Sequence, residues 1–213
     1  MAADTITPFV FDSLPVRGAL ISLSRSWRRM LRDHDYERLV RDTLGHAAAA
    51  AGLIAQSLKF DGAITLQIQR GKALQMLVVQ CTSDMELRGM AVADRNETAN
   101  SFAELTRNAH CAVTVDSGDR PYQGIVEVSD ASLAASLEHY FLRSVQVPSH
   151  VVLVANDEMA GGILLQQMPG ETIDDDEDVI KLAGRAGRID LAEEFGFPAE
   201  RIDALDRTSV LAI

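Results

Sequence analysis

Two cysteines in 213 residues, Cys81 and Cys111, leave no basis for the disulfide framework of a small secreted domain, and no CxxC pair occurs. A reducing compartment suits such a chain. Cationic residues are also in deficit. The net charge of -11 favours solubility and argues against partners recognised through their phosphates, so neither nucleic acid nor an anionic membrane is expected. No apolar run approaches the roughly 18 residues that a membrane-spanning helix needs. The opening MAADTITPFVFDSLPVRG carries acids and prolines where a signal peptide has a basic start and an apolar core, and a cytoplasmic location is expected.

Recognisable catalytic signatures are equally scarce. His34, His46, His110, His139 and His150 are scattered rather than clustered, so no metal site and no cofactor is expected in this chain. His110 and Cys111 are neighbours in a strand pattern and point to opposite faces, which rules out a nucleophile and base pair. Ala160-Gly161-Gly162 reads as a tight turn or a close backbone contact. Gly184-Arg185-Ala186-Gly187-Arg188 lacks the lysine and hydroxyl of a phosphate loop. Asp84, Glu86, Glu104, Glu127, Glu138 and Asp157 could supply an acid and a base, but nothing marks two of them as sharing a site. No catalytic residue is assigned, and the chain is not expected to be an enzyme.

What is present is a core. A hydrophobic content of 47% and this length support one sizeable folded unit. The stretch from Leu58 to Asp84 organises it. Ile64, Leu66 and Ile68 alternate with Thr65, Gln67 and Gln69, the period of a half-buried strand. Arg70 to Ala73 turns the chain into a second run, Leu74 to Val79, whose uniform apolarity predicts a strand buried on both sides. The hairpin ends in Cys81-Thr82-Ser83-Asp84, a polar quartet compatible with a cap, a binding site or neither. The thiols at these strand ends are expected to behave as small buried hydrophobes.

Elsewhere Ala19 to Leu23 reads as a strand leading to a helix over Ser24 to Asp33. From Tyr36, Val40, Leu44, Ala47, Ala48, Ala51, Ala55 and Leu58 lay one stripe along a longer helix. Strands are expected at Glu86 to Val92, Cys111 to Asp116, Tyr122 to Val128, His150 to Ala155 and Gly161 to Gln167. A short helix holds Phe102 and Leu105. Another follows Ser129 or Asp130 as its cap, with Leu133, Leu137, Tyr140, Phe141 and Val145 on one side. Hairpins outnumber strand-helix-strand units, which predicts an α+β fold with a mostly antiparallel sheet and packed helices. Residues 1–170 form the expected core domain. Residues 171–213 read as an acidic linker, with Asp174 to Asp178 at its centre, and a short helical tail.

A family resemblance is carried by several segments in order. They are Leu58-Lys59-Phe60-Asp61-Gly62 with Leu66-Gln67, Val78 to Asp84, Tyr122 to Val126, Leu137 to Phe141 with Ser144 and Gln146-Val147-Pro148, and Ala160 to Gln166. Together they resemble the N-terminal core of the redox-regulated 33 kDa heat-shock chaperonins over roughly residues 9 to 168. The resemblance implies an ATP-independent holdase that binds unfolded clients under oxidative or heat stress and is commonly activated with dimerisation. In that family four cysteines beyond the core hold zinc and form disulfides. This chain has none of the four, so the resemblance implies either a shortened or truncated form carrying the substrate-binding core without its sensor or a diverged tail with regulation lost or different, and constitutive or weakly regulated activity is expected. The competing expectation is an enzyme or small-ligand site near Cys81 to Asp84. Which side chains contact clients is not legible from sequence.

Overall fold

The computed structural model describes residues 3–11, 15–118, 121–129 and 131–168. The expected linker and tail, with the Gly184 to Arg188 segment, lie outside the described residues, as does Asp130.

Nine strands form two antiparallel sheets. In the first, the order is β1 (Thr5–Val10), β2 (Val16–Leu23), β9 (Ala160–Gln167) and β8 (Ser149–Ala155). In the second it is β5 (Leu87–Ala93), β4 (Leu74–Thr82), β3 (Ala63–Gln69), β6 (His110–Asp116) and β7 (Tyr122–Val126). Four helices complete the described fold: α1 (Arg25–Leu31), α2 (Arg38–Ser57), α3 (Phe102–Leu105) and α4 (Leu133–Tyr140). The α+β architecture is as the sequence predicts, with every strand pairing antiparallel.

Helix α2 lies between the two sheets and is buried along almost its whole length. Ala47 to Ala51 are all within 2% of full burial. A helix needs an apolar stripe on one side when it covers one sheet. Here two sheets close on it, and small side chains let both approach. A methyl built on Gly52 would touch Ile21 of β2 and Leu87 of β5, one from each sheet.

His46 sits on this helix, partly buried. Burial pushes its imidazole down to about 4, against the opposing pull of Asp42 one turn earlier. In the unfolded chain the ring takes its proton near 6.5. Between those values the unfolded state binds more protons than the folded one, so stability falls as pH drops through that window. Urea midpoints are therefore expected to fall between pH 7 and pH 4.5, and His46→Gln to flatten that slope. An unchanged slope in the variant would show that His46 does not carry it.

Several local expectations are corrected. Residues Leu74 to Val79 are not buried on both sides. Leu74, Leu77, Val79 and Cys81 point inward while Gln75, Met76, Val78 and Gln80 point outward, so β4 is half-buried like its neighbours. The apolar outward residues misled the pattern. The cap of α4 is Ser132, whose hydroxyl accepts from the Ala135 amide, while Ser129 accepts from Ala131. The helix continues past Phe141 as a widened turn to Val145, which leaves Val145 exposed rather than on the packed side. Gln146 ends it with φ of 58°. Strand β1 has no sequence signature, because Thr5, Pro8 and Val10 are exposed and show no clean alternation.

The start of β1 is tied to α1 by Asp4. Its carboxylate accepts from the amides of Ser24, Arg25 and Ser26 and from the Ser26 hydroxyl, at 2.6 to 3.3 Å. Burial alone would favour its neutral form. The Ser26 hydroxyl and the three amides outweigh that and hold the carboxyl below its usual range.

Candidate functional site

The quartet Cys81 to Asp84 is built into the connection between β4 and β5. Thr82 closes the turn through its amide to Glu86 O (3.0 Å), its carbonyl from the Met85 amide (2.9 Å) and its hydroxyl from the Glu86 amide (3.1 Å). Met85 has φ of 63°. Ser83 donates its amide to Gly62 O at 2.9 Å and accepts the Gly62 amide with its hydroxyl at 3.4 Å. Gly62 itself has φ of 138°, where a Cβ would lie 2.0 Å from Asp116 O. The polar groups thus hold the hairpin end to the start of β3.

Cys81 and Cys111 are free and buried, exposed by no more than 1%. Burial pushes their thiols up to about 11 and about 12. They flank β3 on opposite sides. Cys81 pairs with Ile64 and Cys111 with Ile68, so the two stand two strands and four residues apart. Strand spacing puts their Cα atoms on the order of 16 Å from each other, far beyond the reach of a disulfide. Iodoacetamide at pH 8 is accordingly expected to label the folded chain more than about 100-fold more slowly than the urea-unfolded chain, because the thiolate is the nucleophile. Rapid labelling of either thiol in the folded chain would contradict this.

The histidines are not brought together. Among the described residues no group of three or more His, Cys, Asp or Glu side chains is placed to hold a metal ion. The two thiols likewise cannot share one ion, so the donors among the described residues do not assemble a set that fits the zinc of the resemblance. His150 Nδ1 lies 2.8 Å from Glu138 Oε1, and that carboxylate also accepts the Val151 amide at 2.7 Å. The pair ties α4 to the margin of the first sheet. Gly161 and Gly162 lie inside β9 rather than in a turn, and a side chain on Gly162 would meet Val152 O.

Two clefts remain. One, of about 870 Å³, lies between α1 and the β4–β5 end, lined by Arg25, Arg29 and Arg88 together with Asp4, Asp33 and Glu86. Its charges offset each other. The other, of about 350 Å³, runs under β1 beside Arg17, Gln56, Leu164 and Gln166. Arg17 donates to Gln166 at 3.1 Å.

A further feature is the outer face of the second sheet, the side away from α2. Register aligns its outward residues in rows across five strands. One row is Met90, Val78, Gln67, Ala112 and Ile125. Beside it run Arg88, Gln80, Thr65, Thr114 and Gln123 on one side, and Val92, Met76, Gln69 and His110 on the other. Arg88 is the sole Asp, Glu, Lys or Arg in these rows, the next row, Thr82, Ala63 and Asp116, adds one acid at the end of the sheet, and Gln80 accepts the Arg88 Nε at 2.9 Å. Gln80 in turn donates to Thr65 at 3.2 Å, and Gln123 to Thr114 at 3.1 Å. In a chain of charge -11 this face is nearly neutral. Met90 is 37% exposed and Ile125 is 69% exposed. Sequence reasoning offers Met76 and Met90 as either an adaptable contact surface or core filler, and the face as a whole is legible only once the register aligns its residues.

Comparison with known proteins places this architecture. A family model described as "Hsp33 protein" matches residues 4–205. The 33 kDa chaperonin of Methylobacillus flagellatus is 37% identical over 172 residues, covering 79% of this chain and 59% of that protein. That of Nitrosococcus oceani is 38% identical over 169 residues, covering 79% and 58%. That of Pseudomonas aeruginosa strain LESB58 is 37% identical over 213 residues, covering 98% and 70%. The crystal structure of a 33 kDa chaperonin from Thermotoga maritima shares the fold, with a TM-score of 0.73 at 21% identity over 91% of this chain and 70% of that one. The chain spans less than two thirds of the length of the first two relatives. With the family model covering nearly all of it, this chain belongs to the Hsp33 family.

Proposed function

We propose that this chain is an ATP-independent holdase, acting in the cytoplasm to bind unfolding proteins under heat or oxidative stress and keep them from aggregating. The observation that carries the reading, beyond family membership, is the nearly charge-free outer face of the second sheet. Exposed chains present apolar side chains and unpaired amides, and a broad surface of Met, Val, Ile, Gln and Thr offers partners to both. The methionines Met76 and Met90 add side chains that adapt to irregular contacts. The acidic remainder of the surface keeps loaded complexes apart.

Binding of this kind works without zinc and without a disulfide step in this chain, since Cys81 and Cys111 are buried and too far apart to pair. Light scattering from a heat-unfolded client enzyme is the test, with and without the chain, in dithiothreitol and after peroxide. Suppression of comparable size in both conditions is expected, and a metal chelator should leave it unchanged. Absence of suppression in both would overturn the holdase reading. Suppression only after peroxide, lost in Cys81→Ser or Cys111→Ser, would overturn the unswitched form of it. Dimerisation accompanies the activity in this reading, and light scattering of the chain alone across concentrations measures it.

A further inference from the structure

Two open sheets have four edges, and each unpaired edge offers amides and carbonyls to any extended chain. Three of the four are obstructed. On β1, the Phe11 amide bonds Val16 O at 3.1 Å. Counting back through the register places Phe9, Thr7 and Thr5 toward β2 and Ile6, Pro8 and Val10 toward solvent. Proline therefore occupies the middle outward position, where a donor is missing. On β8, the Val151 amide is taken by Glu138 at 2.7 Å. On β5, the Ala91 amide is taken by the Tyr36 hydroxyl at 3.2 Å.

The fourth edge is β7, Tyr-Gln-Gly-Ile-Val. Among the described residues nothing is bonded to its outward backbone groups, and the strand carries no charge. Its inner side is firmly backed. The Tyr140 ring lies against Gly124, and burial, with the electrostatic effect of the neighbouring Tyr122, pushes the Tyr140 phenol up to about 12. Its outer side presents Ile125 at the end of the neutral row that begins at Met90.

We propose that β7 is a strand-addition edge, at which an extended, uncharged client segment pairs as a sixth strand of the second sheet. The proposal rests on the holdase reading and names the client chemistry: a segment rich in β-branched and aromatic residues, without proline or paired acids. Its outward side chains continue the Met90 to Ile125 row, while main-chain bonds supply affinity that is indifferent to client sequence. A second copy of the chain is the poorer occupant. Five residues against their own twin bury far less than the roughly 1,200 Å² of a stable interface.

The test uses the whole chain and a fluorescein-labelled peptide alternating valine and threonine. Its twin is methylated on adjacent central amides, which closes both hydrogen-bonding edges and keeps every side chain. Fluorescence anisotropy is expected to show the twin binding at least about tenfold more weakly. Ile125→Lys, checked for folding by circular dichroism, should weaken the unmethylated peptide by a similar factor, whereas Val10→Lys on the obstructed β1 edge should change it less than about twofold. Equal binding of peptide and twin would overturn strand addition, and the wild-type comparison stands even if Ile125→Lys fails to fold. If the twin binds equally while client aggregation is still suppressed, only the edge proposal falls. If aggregation is not suppressed at all, the holdase reading falls with it.

Discussion

Replacing Trp27 with alanine is expected to cost about 3 to 5 kcal/mol, the range for deleting a large, fully buried aromatic. Trp27 is completely buried in α1, and its indole Nε1 donates to Asn156 O at 2.8 Å, in the turn between β8 and β9. That turn is already tight, with the Asn156 side chain accepting from the Glu158 and Met159 amides. The variant therefore loses an apolar contact surface and leaves a half-buried carbonyl without its donor. For a chain of this size the melting temperature should fall by roughly ten degrees. Trp27→Phe keeps much of the ring, so its loss should lie nearer the 1 to 3 kcal/mol of an unsatisfied group. Urea unfolding followed by far-ultraviolet circular dichroism measures both, and a cost under about 1 kcal/mol for Trp27→Ala would show that α1 is not held by this residue.

Gly45→Val attacks the same junction from the helix. A Cβ at position 45 would lie 2.5 Å from Ala155 Cβ and 3.2 Å from both Ala160 Cβ and Trp27 Cη2. These neighbours are themselves methyls or a locked ring, so relief requires β8 and β9 to move away from α2. Overpacking of this kind costs about 1 to 3 kcal/mol and more where backbone must shift, which places valine at the upper end or beyond. The sign of Gly45→Ala is the sharper discriminator. Helix propensity alone predicts a gain of about 1 kcal/mol. Contact with Ala155 should reverse that, and a stabilised Gly45→Ala would mean that α2 does not touch the hairpin there.

These two positions also show where sequence reasoning reached and where it stopped. The period-2 pattern of β3 and the stripe on α2 are local signals, so strands, helix and the antiparallel class followed from them. That α2 would be enclosed by two sheets was not legible. One helix stripe predicts one covered face, whereas Gly45, Gly52 and the alanine run are needed on several faces at once. Strand β1 escaped because an exposed edge strand carrying Pro8 has no buried alternation to reveal it.

The functional surface was hidden for a related reason. Val78 and Met76 read as core because they are apolar, yet they face away from α2, and Val78 becomes part of a surface only when Met90, Gln67, Ala112 and Ile125 are aligned beside it. The quartet at Cys81 drew notice by its polarity, and its hydroxyls and amides proved to be committed to the turn. The segments that carried the family resemblance fall largely on these same structural parts, including Gly62, the β4 end and the Tyr140 contact with Gly124.

Charge placed on the outer face is the most direct measurement of whether clients sit there. A double variant, Val78→Lys with Met90→Lys, should keep its secondary structure, because both side chains point away from the α2 core. In the light-scattering assay with a heat-unfolded client, the wild-type chain is expected to suppress aggregation and the double variant to lose most of that suppression at equal concentration. A folded double variant that protects the client as well as the wild type would place client binding somewhere other than the outer face of the second sheet.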